Sequence, residues 1–458
     1  MTFKEYLGSL KEKKVTVVGA GISNMPLIEA LLLAGINTTV CDKRLREELE
    51  DSLGRFESLG AQLSLGESYL DDIDADVIFR TPGLMPHHPA LSKAVKNGAV
   101  LTSEMEVFFE VCPCKKIGIT GSDGKTTTTS IIAALLKSEG LTVHVGGNIG
   151  NPLLCSADEM QPDDIAVLEL SSFQLITMRK CPEIAVVTNL SPNHLDVHKD
   201  MEEYYGAKRN IFIHQGKSDT AVFNLDNDYT VQYSKSAKGE VLFFSRREAV
   251  SDGVFTDGET IFEVIGGKKA PIMGVDDILL PGVHNVENYL AAFAAVRGLV
   301  SYETMRKTAR DFGGVEHRIE FVRQTGGVMY YNDSIATSPS RTIAGLKSFD
   351  QKVILIAGGK DKGIPFDELG VEVISHVKTL VLVGRTAEKI KSVVENAPGY
   401  NGLPEIIMSE SFEDAVSSAS NAASSGDIVI LSPACAAFDM FRNFEHRGQT
   451  FKELVRGL

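Results

Sequence analysis

Residues 115–136, KKIGITGSDGKTTTTSIIAALL, restrict the possible folds more than any other part of the chain. An apolar run at 117–120 predicts a buried strand. The turn Gly121-Ser122-Asp123-Gly124 follows, and Lys125, Thr126 and Thr127 open a helix with apolar residues at helical spacing. Such a strand, glycine-rich turn and helix N-terminus form a phosphate cradle, because backbone N–H groups and the positive helix end face the anion. Lys125 is placed to reach the β/γ-phosphates of a nucleotide, and the Thr126 hydroxyl to sit on Mg2+. The usual P-loop has a glycine where Ile119 stands, so TGSDGKTT is a shorter variant. An ordinary glycine turn without a ligand is the alternative, and Gly-Lys-Thr at this junction argues against it. The stretch reads as an ATP site.

At 458 residues the chain exceeds one hydrophobic core, and three domains are expected. A net charge of −15 argues against nucleic acid or an anionic membrane as partner, so an anionic substrate would need local cationic pockets. The six cysteines lack paired metal spacing; Cys112-Pro113-Cys114 is the close pair, and two ligands do not make a zinc site. They read as free thiols. Residues 1–14 are polar and Lys-rich, with no signal-peptide core, and no long apolar run occurs, so a cytoplasmic protein is expected.

Residues 15–21, VTVVGAG, predict a strand and glycine turn, followed by a helix through Ala34 and a second strand at 38–41. Asp42 lies 23 residues after Gly19, as in a dinucleotide-binding unit, but Asn24 replaces the third glycine of the fingerprint. The geometry supports a diphosphate at 19–24, with Asp42, Lys43 and Arg44 where ribose or base would lie. The segment VIFRTPGLMPHHPAL places a second turn at the same sheet edge, with His87 and His88 read as exposed loop residues. Strands at 115–120, 164–169 and 184–189 alternate with helical patterns, predicting a mostly parallel sheet. Glu169 ends one of these strands, a costly place for a carboxylate unless it binds something, and with Thr126 it could hold magnesium. His194, Asp196 and His198 resemble a transition-metal cluster, which leaves zinc and magnesium open. Lys208 lies on the apolar side of a helix at 201–213, where a snorkelling surface lysine is the ordinary reading. A small antiparallel sheet is expected from 219 to about 270. Asn285 and Asn288 near the start of the next helix could meet an adenine edge, with N-capping the alternative for Asn285. Past Gly313-Gly314 a third α/β pattern runs to the end of the sequence.

The motifs TGSDGKTT, GGNIG, ELSSFQL, NHLDVH, HN-x-x-N before AAFAA, EHR, NDS-x-ATSP and SPACAAFD-x-F-x-N-F-x-x-RG, in this order, resemble the Mur ligases over residues 15–448. Within that family the pattern is similar to the branch that adds D-glutamate to UDP-N-acetylmuramoyl-L-alanine. The resemblance implies an ATP-dependent amide-forming ligase of peptidoglycan synthesis, monomeric, with three α/β domains. These would be a Rossmann-like UDP-sugar domain (1–102), a central ATP-binding domain with a P-loop ATPase-like sheet (103–314) and a Rossmann-like amino-acid domain (315–458). It implies that Ile22, Ser23, Asp42, Lys43, Arg44 and Gly83 hold the UDP-sugar, with Asn148 and His194 at its muramoyl end. Two Mg2+ sites would use Thr126, Glu169, His194 and Lys208, the last carbamylated by CO2, which replaces the snorkelling reading. Asn285 and Asn288 would face adenine, and Arg318 and Asp333 the ribose or phosphates.

The implied chemistry is in-line attack of the substrate carboxylate on the γ-phosphate, giving an acyl phosphate that the D-glutamate amine then opens. Lys362, Thr337 and Phe444 would form the D-glutamate pocket. Ile335 stands where the family carries Lys, and Ala437 where it carries Ser. Either the substrate carboxylate is fixed differently, through Lys360, Ser338 or Arg341, or the amino acid differs, and the first is favoured. A folylpolyglutamate synthase-like ligase shares the ATP machinery but would not need the N-terminal domain. An NAD-dependent oxidoreductase would rest on residues 19–42.

Overall fold

The computed structural model describes residues 1–192 and 197–458. Among the described residues the strands form three sheets. The chain divides into two compact units, Met1–Asp277 with Glu287–Thr308, and Ile278–Val286 with Ala309–Leu458. The α/β class expected from the sequence is what the molecule adopts.

The first unit holds two sheets. The smaller contains β1 (Val15–Val18), β2 (Thr38–Asp42), β3 (Gln62–Leu65), β4 (Val77–Arg80) and β5 (Val100–Thr102). Its order is β3-β2-β1-β4-β5 with every pair parallel. All four residues of β1 are buried, as a central parallel strand covered on both faces requires. Strand order reverses between β1 and β4, and the turns that follow them share a crevice of the kind where such sheets bind ligands. The polar residues at the start of the chain form a short helix, Phe3–Gly8, closed by a Thr2–Glu5 capping box and by Asp158, which accepts from the Phe3 and Lys4 amides.

The larger sheet contains β6 (Lys115–Thr120), β7 (Val143–Gly147), β8 (Ile165–Glu169), β9 (Ile184–Val187), β10 (Thr220–Asn224), β11 (Glu240–Ser245), β12 (Gly253–Thr256), β13 (Thr260–Ile265) and β14 (Lys268–Gly274). The order β14-β13-β12-β11-β10-β9-β6-β8-β7 puts β6 between β9 and β8. The separate antiparallel sheet expected at 219–270 does not form. β10, β11 and β12 join the main sheet in parallel, and the antiparallel pairs are β12–β13 and β13–β14. The reason is the connection. A helix at Asp228–Ser234 carries the chain from β10 to β11 as a crossover, whereas β13 and β14 are joined by Gly266-Gly267 with φ of +54° and +79°. Two positive φ values in a two-residue loop make the tight turn that only an antiparallel pair uses. One apolar cluster links both sheets, running from Val17, Leu31 and Phe79 through Phe108 and Leu154 to Leu168 and Phe212.

The second unit is built on β15 (Glu320–Thr325), β16 (Val328–Asn332), β17 (Val353–Ala357), β18 (Val377–Leu382), β19 (Glu405–Met408) and β20 (Ile428–Leu431). Their order is β15-β16-β20-β17-β18-β19, parallel except for the β15–β16 hairpin. Separate apolar clusters fill its two faces. Among the described residues no helix is long and apolar enough to cross a membrane.

Candidate active site

The turn after β6 is shaped by its neighbours. Gly121 (φ +150°) and Gly124 (φ +78°) take conformations that side chains disfavour. A Cβ on Gly121 would stand 1.9 Å from the Thr188 hydroxyl, and one on Gly124 2.4 Å from Asn288 Oδ1. Residues after β9 bind the outer side of the turn: the Ser122 amide donates to Asn189 O (2.9 Å), the Asp123 amide to Asn189 Oδ1 (2.9 Å), and the Ser191 amide to Ser122 Oγ (2.9 Å). The helix Lys125–Ser138 then starts from Gly124 with no side-chain cap, so its positive end is open to an anion. Thr126 and Thr127 sit half-buried on its first turn.

Two lysines converge here. Lys125 Nζ donates to the carbonyls of Gly121 (3.0 Å) and Ser122 (2.8 Å), and Lys208 Nζ to that same Gly121 carbonyl (2.6 Å). Lys208 does not snorkel: it is 2% exposed, and its ammonium lies 4.7 Å over the Tyr204 ring. Burial pushes its pKa well below the ordinary lysine value, the Lys125 charge adds to this, and Asp123 and Glu169 oppose it. Burial and the Lys125 charge thus favour the neutral, nucleophilic amine over the ammonium.

Glu169 ends β8 at 1% exposure. Its Oε1 accepts from Asn148 Nδ2 (2.8 Å), while Oε2 is buried without a hydrogen-bond partner among the described residues. The Asn148 amide donates to Glu169 O (2.8 Å), and a Cβ on Gly147 would meet that carbonyl at 2.1 Å, so the Gly-Gly-Asn turn fits only against this strand end. A buried, half-satisfied carboxylate beside a hydroxyl-bearing helix start suits a hard divalent cation, which prefers oxygen ligands.

Of the three residues read as a transition-metal cluster, the structure describes His198. His194 and Asp196 lie outside the described residues. His198 is engaged elsewhere, with Nε2 2.9 Å from Ser172 Oγ, Nδ1 3.2 Å from Glu203 and its ring stacked on Phe173. Among the described residues no group of three His, Cys, Asp or Glu could hold a metal. Asn288 accepts from Thr128 Oγ1 (3.2 Å) and packs on the phosphate turn, while Asn285 donates to Pro281 O (2.7 Å) rather than capping a helix.

At the N-terminal crevice Asp42 is consumed internally. It accepts from the Ala20 amide (2.7 Å), the Arg44 amide (2.9 Å) and the Arg44 guanidinium (2.8 and 3.0 Å). Burial pushes this carboxyl up, but the Arg44 and Ala20 hydrogen bonds outweigh it and hold the group ionised. Asn24, in place of the fingerprint's third glycine, donates to the carbonyls of Val18 and Gly19. Ile22 (80% exposed), Ser23, Lys43, Arg44 and Gly83 stand open around this edge. Arg80, unremarked in the sequence, is fully buried and donates to the carbonyls of Thr81, Pro82 and Leu84 and, across to the other sheet's domain, to Phe173 O (2.7 Å) and Thr177 Oγ1 (3.1 Å).

In the second unit Lys362 Nζ meets Thr337 Oγ1 at 2.8 Å. Asp333 accepts from Ser432 Oγ (2.7 Å); burial pushes its carboxyl up to about 7, and Arg318 pulls against this. Arg318 is flanked by His317 and Ile319 at φ +63° and +43°, and Ala434 lies at φ +58°, strained backbone of the sort functional sites hold. Ser334 Oγ donates to Phe444 O, which ties the last helix to the 332–338 loop. Arg447, also missed, is the buried tie among three motifs, donating to Ser334 Oγ, Ser334 O and Cys435 O. Its only trace in the sequence is its place in the NF-x-x-RG ending.

The chain matches family models described as Mur ligase MurD-like, N-terminal domain (13–103), Mur ligase middle domain (119–296) and Mur ligase, glutamate ligase domain (317–435). It is 51% identical to UDP-N-acetylmuramoylalanine--D-glutamate ligase of Clostridium novyi (strain NT), covering 100% of this chain and 99% of the relative. It is also 51% identical to the protein of that name from Acetivibrio thermocellus, covering 99% of this chain and 98% of the relative. Among solved structures it resembles UDP-N-acetylmuramate-alanine ligase from Thermotoga maritima, with a TM-score of 0.56 at 16% identity, over 97% of this chain and 100% of that one. That likeness is one of fold. The chain belongs to the Mur ligase family.

Proposed function

We propose that this enzyme joins D-glutamate to UDP-N-acetylmuramoyl-L-alanine at the expense of ATP, a step of peptidoglycan precursor synthesis, in the cytoplasm and as a monomer. Full-length identity of about half to relatives of that name supports the reading. The observation that carries it is the meeting of Lys125 and Lys208 on the Gly121 carbonyl, with the charge of Glu169 acting on Lys208.

In this reading the turn Gly121, Ser122, Asp123, Gly124 and the helix start Lys125, Thr126, Thr127 hold the triphosphate, and Lys125 turns from its own loop carbonyls to the transferred phosphoryl group. Thr126 and Glu169 would hold Mg2+, which supplies charge neutralisation at the phosphates. A neutral Lys208 amine would add CO2 and release a proton to give a carbamate, an anionic oxygen donor for Mg2+ where an ammonium would repel it, and His194 would serve a second Mg2+. Carboxylate attack on the γ-phosphate gives the acyl phosphate, and the amine of D-glutamate displaces phosphate from it. Domains at 1–102, 103–314 and 315–458 would each hold one substrate. Ile22, Ser23, Lys43, Arg44 and Gly83 would contact the uridine nucleotide, with Asp42 positioning Arg44, and Asn148 the muramoyl end. Asn285, Asn288, Arg318 and Asp333 would complete the nucleotide site, and Thr337, Lys362 and Phe444 the amino-acid pocket.

Phosphate release tests this directly. Protein, Mg-ATP and UDP-N-acetylmuramoyl-L-alanine should release phosphate with D-glutamate and not with L-glutamate or without an amino acid. Release with another amino acid in place of D-glutamate, or none at all, defeats the proposal. An oxidoreductase is disfavoured because both Asp42 oxygens are already engaged.

A further inference from the structure

The pair Cys112 and Cys114 takes no part in the proposed chemistry, yet its geometry is specific. Helix Glu104–Val111 ends at Cys112, which is extended (φ −65°, ψ 119°), and Pro113 fixes the next φ and removes an amide donor. Residues two apart in extended chain project to the same side. The two sulfurs accordingly lie 3.2 Å apart, both thiols free and buried. Lys116 Nζ donates to Cys114 O (2.8 Å) and lies 3.4 Å from Glu183, placing a cation beside the pair.

A metal does not explain this spacing. Two thiolates on tetrahedral zinc, at about 2.3 Å each, stand roughly 3.7 Å apart and need further ligands. Among the described residues no such ligand group exists. A disulfide needs sulfurs at about 2.05 Å, so closure asks for an approach of only about 1 Å along an axis the backbone already sets.

We propose that Cys112-Pro113-Cys114 is a dithiol modification site that closes to an intramolecular disulfide on meeting a low-molecular-weight disulfide. Hydrogen bonding with Cys114 and the Lys116 charge lower the Cys112 pKa, while the same sulfur–sulfur contact and burial raise that of Cys114. Cys112, at 8% exposure against 1% for Cys114, is therefore the attacking sulfur. Its thiolate attacks one sulfur of the small disulfide, and the first leaving thiolate takes the proton that Cys112 gave up. Cys114 then loses its proton, attacks the Cys112 sulfur of the mixed disulfide and releases the second thiol. The protein loses two protons and two electrons, and the small disulfide takes them up to become two thiols. Cys114 directly precedes β6, the strand that leads to the phosphate turn, so the bond would form at the root of that strand.

The experiment treats the folded full-length chain with oxidised glutathione, alkylates it after denaturation and maps the cysteines by peptide mass spectrometry. The Cys112–Cys114 peptide should lose about 2 Da, escape alkylation and recover both alkylation sites after dithiothreitol. Cys114→Ser should stop at a glutathione adduct on Cys112, and exposed Cys155 should give only an adduct. Full alkylation of both residues in the treated wild type overturns the proposal. So does pairing of either with Cys41, Cys155, Cys181 or Cys435, or a stable adduct on wild-type Cys112.

Discussion

A buried lysine that donates to a loop carbonyl with a like charge nearby is unusual enough to be tested by its pH dependence. Lys208 titrates well below its unfolded value near 10.4, so between those two pH values the unfolded chain binds more protons than the folded one. The sign follows: this residue makes stability rise with pH through that window. In CO2-free buffer, Lys208→Met should be more stable than wild type at pH 6, with the gap in urea midpoint shrinking toward pH 9. Its phosphate release should fall by about 10²–10³-fold, the range for loss of one transition-state contact. Asp333 tests the opposite case. Its folded carboxyl lies at about 7, above the unfolded value near 3.9, so the folded state binds the extra proton and stability falls as pH rises from about 4 to 7. Asp333→Asn should lack this fall, and a wild type equally stable at pH 5 and 8 relative to the variant removes the buried-carboxyl account.

At the scale of elements, fit between the phosphate turn and its neighbours decides what can be changed. Gly124→Ala places a Cβ 2.4 Å from Asn288 Oδ1 in left-handed backbone, so it should cost at least about 1–2 kcal/mol and most of the ATP affinity. Adding Asn288→Ala should relieve the clash but leave the backbone strain, so urea midpoints should recover in part. A full recovery would show that strain is absent. Arg80 ties the 81–84 turn to the helix Ser172–Leu175, and Arg80→Met should lose about 1–3 kcal/mol by leaving several buried carbonyls without donors, measured by denaturant unfolding. These two elements also show what a sequence discloses. The strand, turn and helix at 115–138 were legible because apolar run, glycine turn and helical spacing each act locally and agree. The pairing direction of β10 and β11 was not, because strand propensity does not encode a partner. Nor was the burial of Lys208, since what covers it includes Gly121, 87 positions earlier. Arg80 and Arg447 were invisible for the same reason, as buried arginines look like surface ones until their carbonyl acceptors are placed.

For the whole molecule, a charge of −15 opposes the approach of an anionic nucleotide, so affinity must come from the local groups at the phosphate turn. Binding energy gained by the folded state alone appears as stability. At free Mg-ATP a hundredfold above Kd the gain is about 2.7 kcal/mol. For a unit the size of the first, that raises the unfolding midpoint by about 4 °C. The chain has no tryptophan, so tyrosine fluorescence reports the transition, and hydrogen exchange locates it. Wild type should show the shift together with slowed exchange across 115–138. Lys125→Ala should show neither, because its contact with the phosphates is gone while the hydrogen bonds with Asn189 and Ser191 still hold the turn. Glu169→Gln separates the metal from the nucleotide. With its carboxylate made neutral, the shift with Mg-ATP should drop to that with ATP alone. A Lys125→Ala protein that Mg-ATP stabilises as strongly as wild type would mean that the anion is held somewhere other than the Gly121–Lys125 turn.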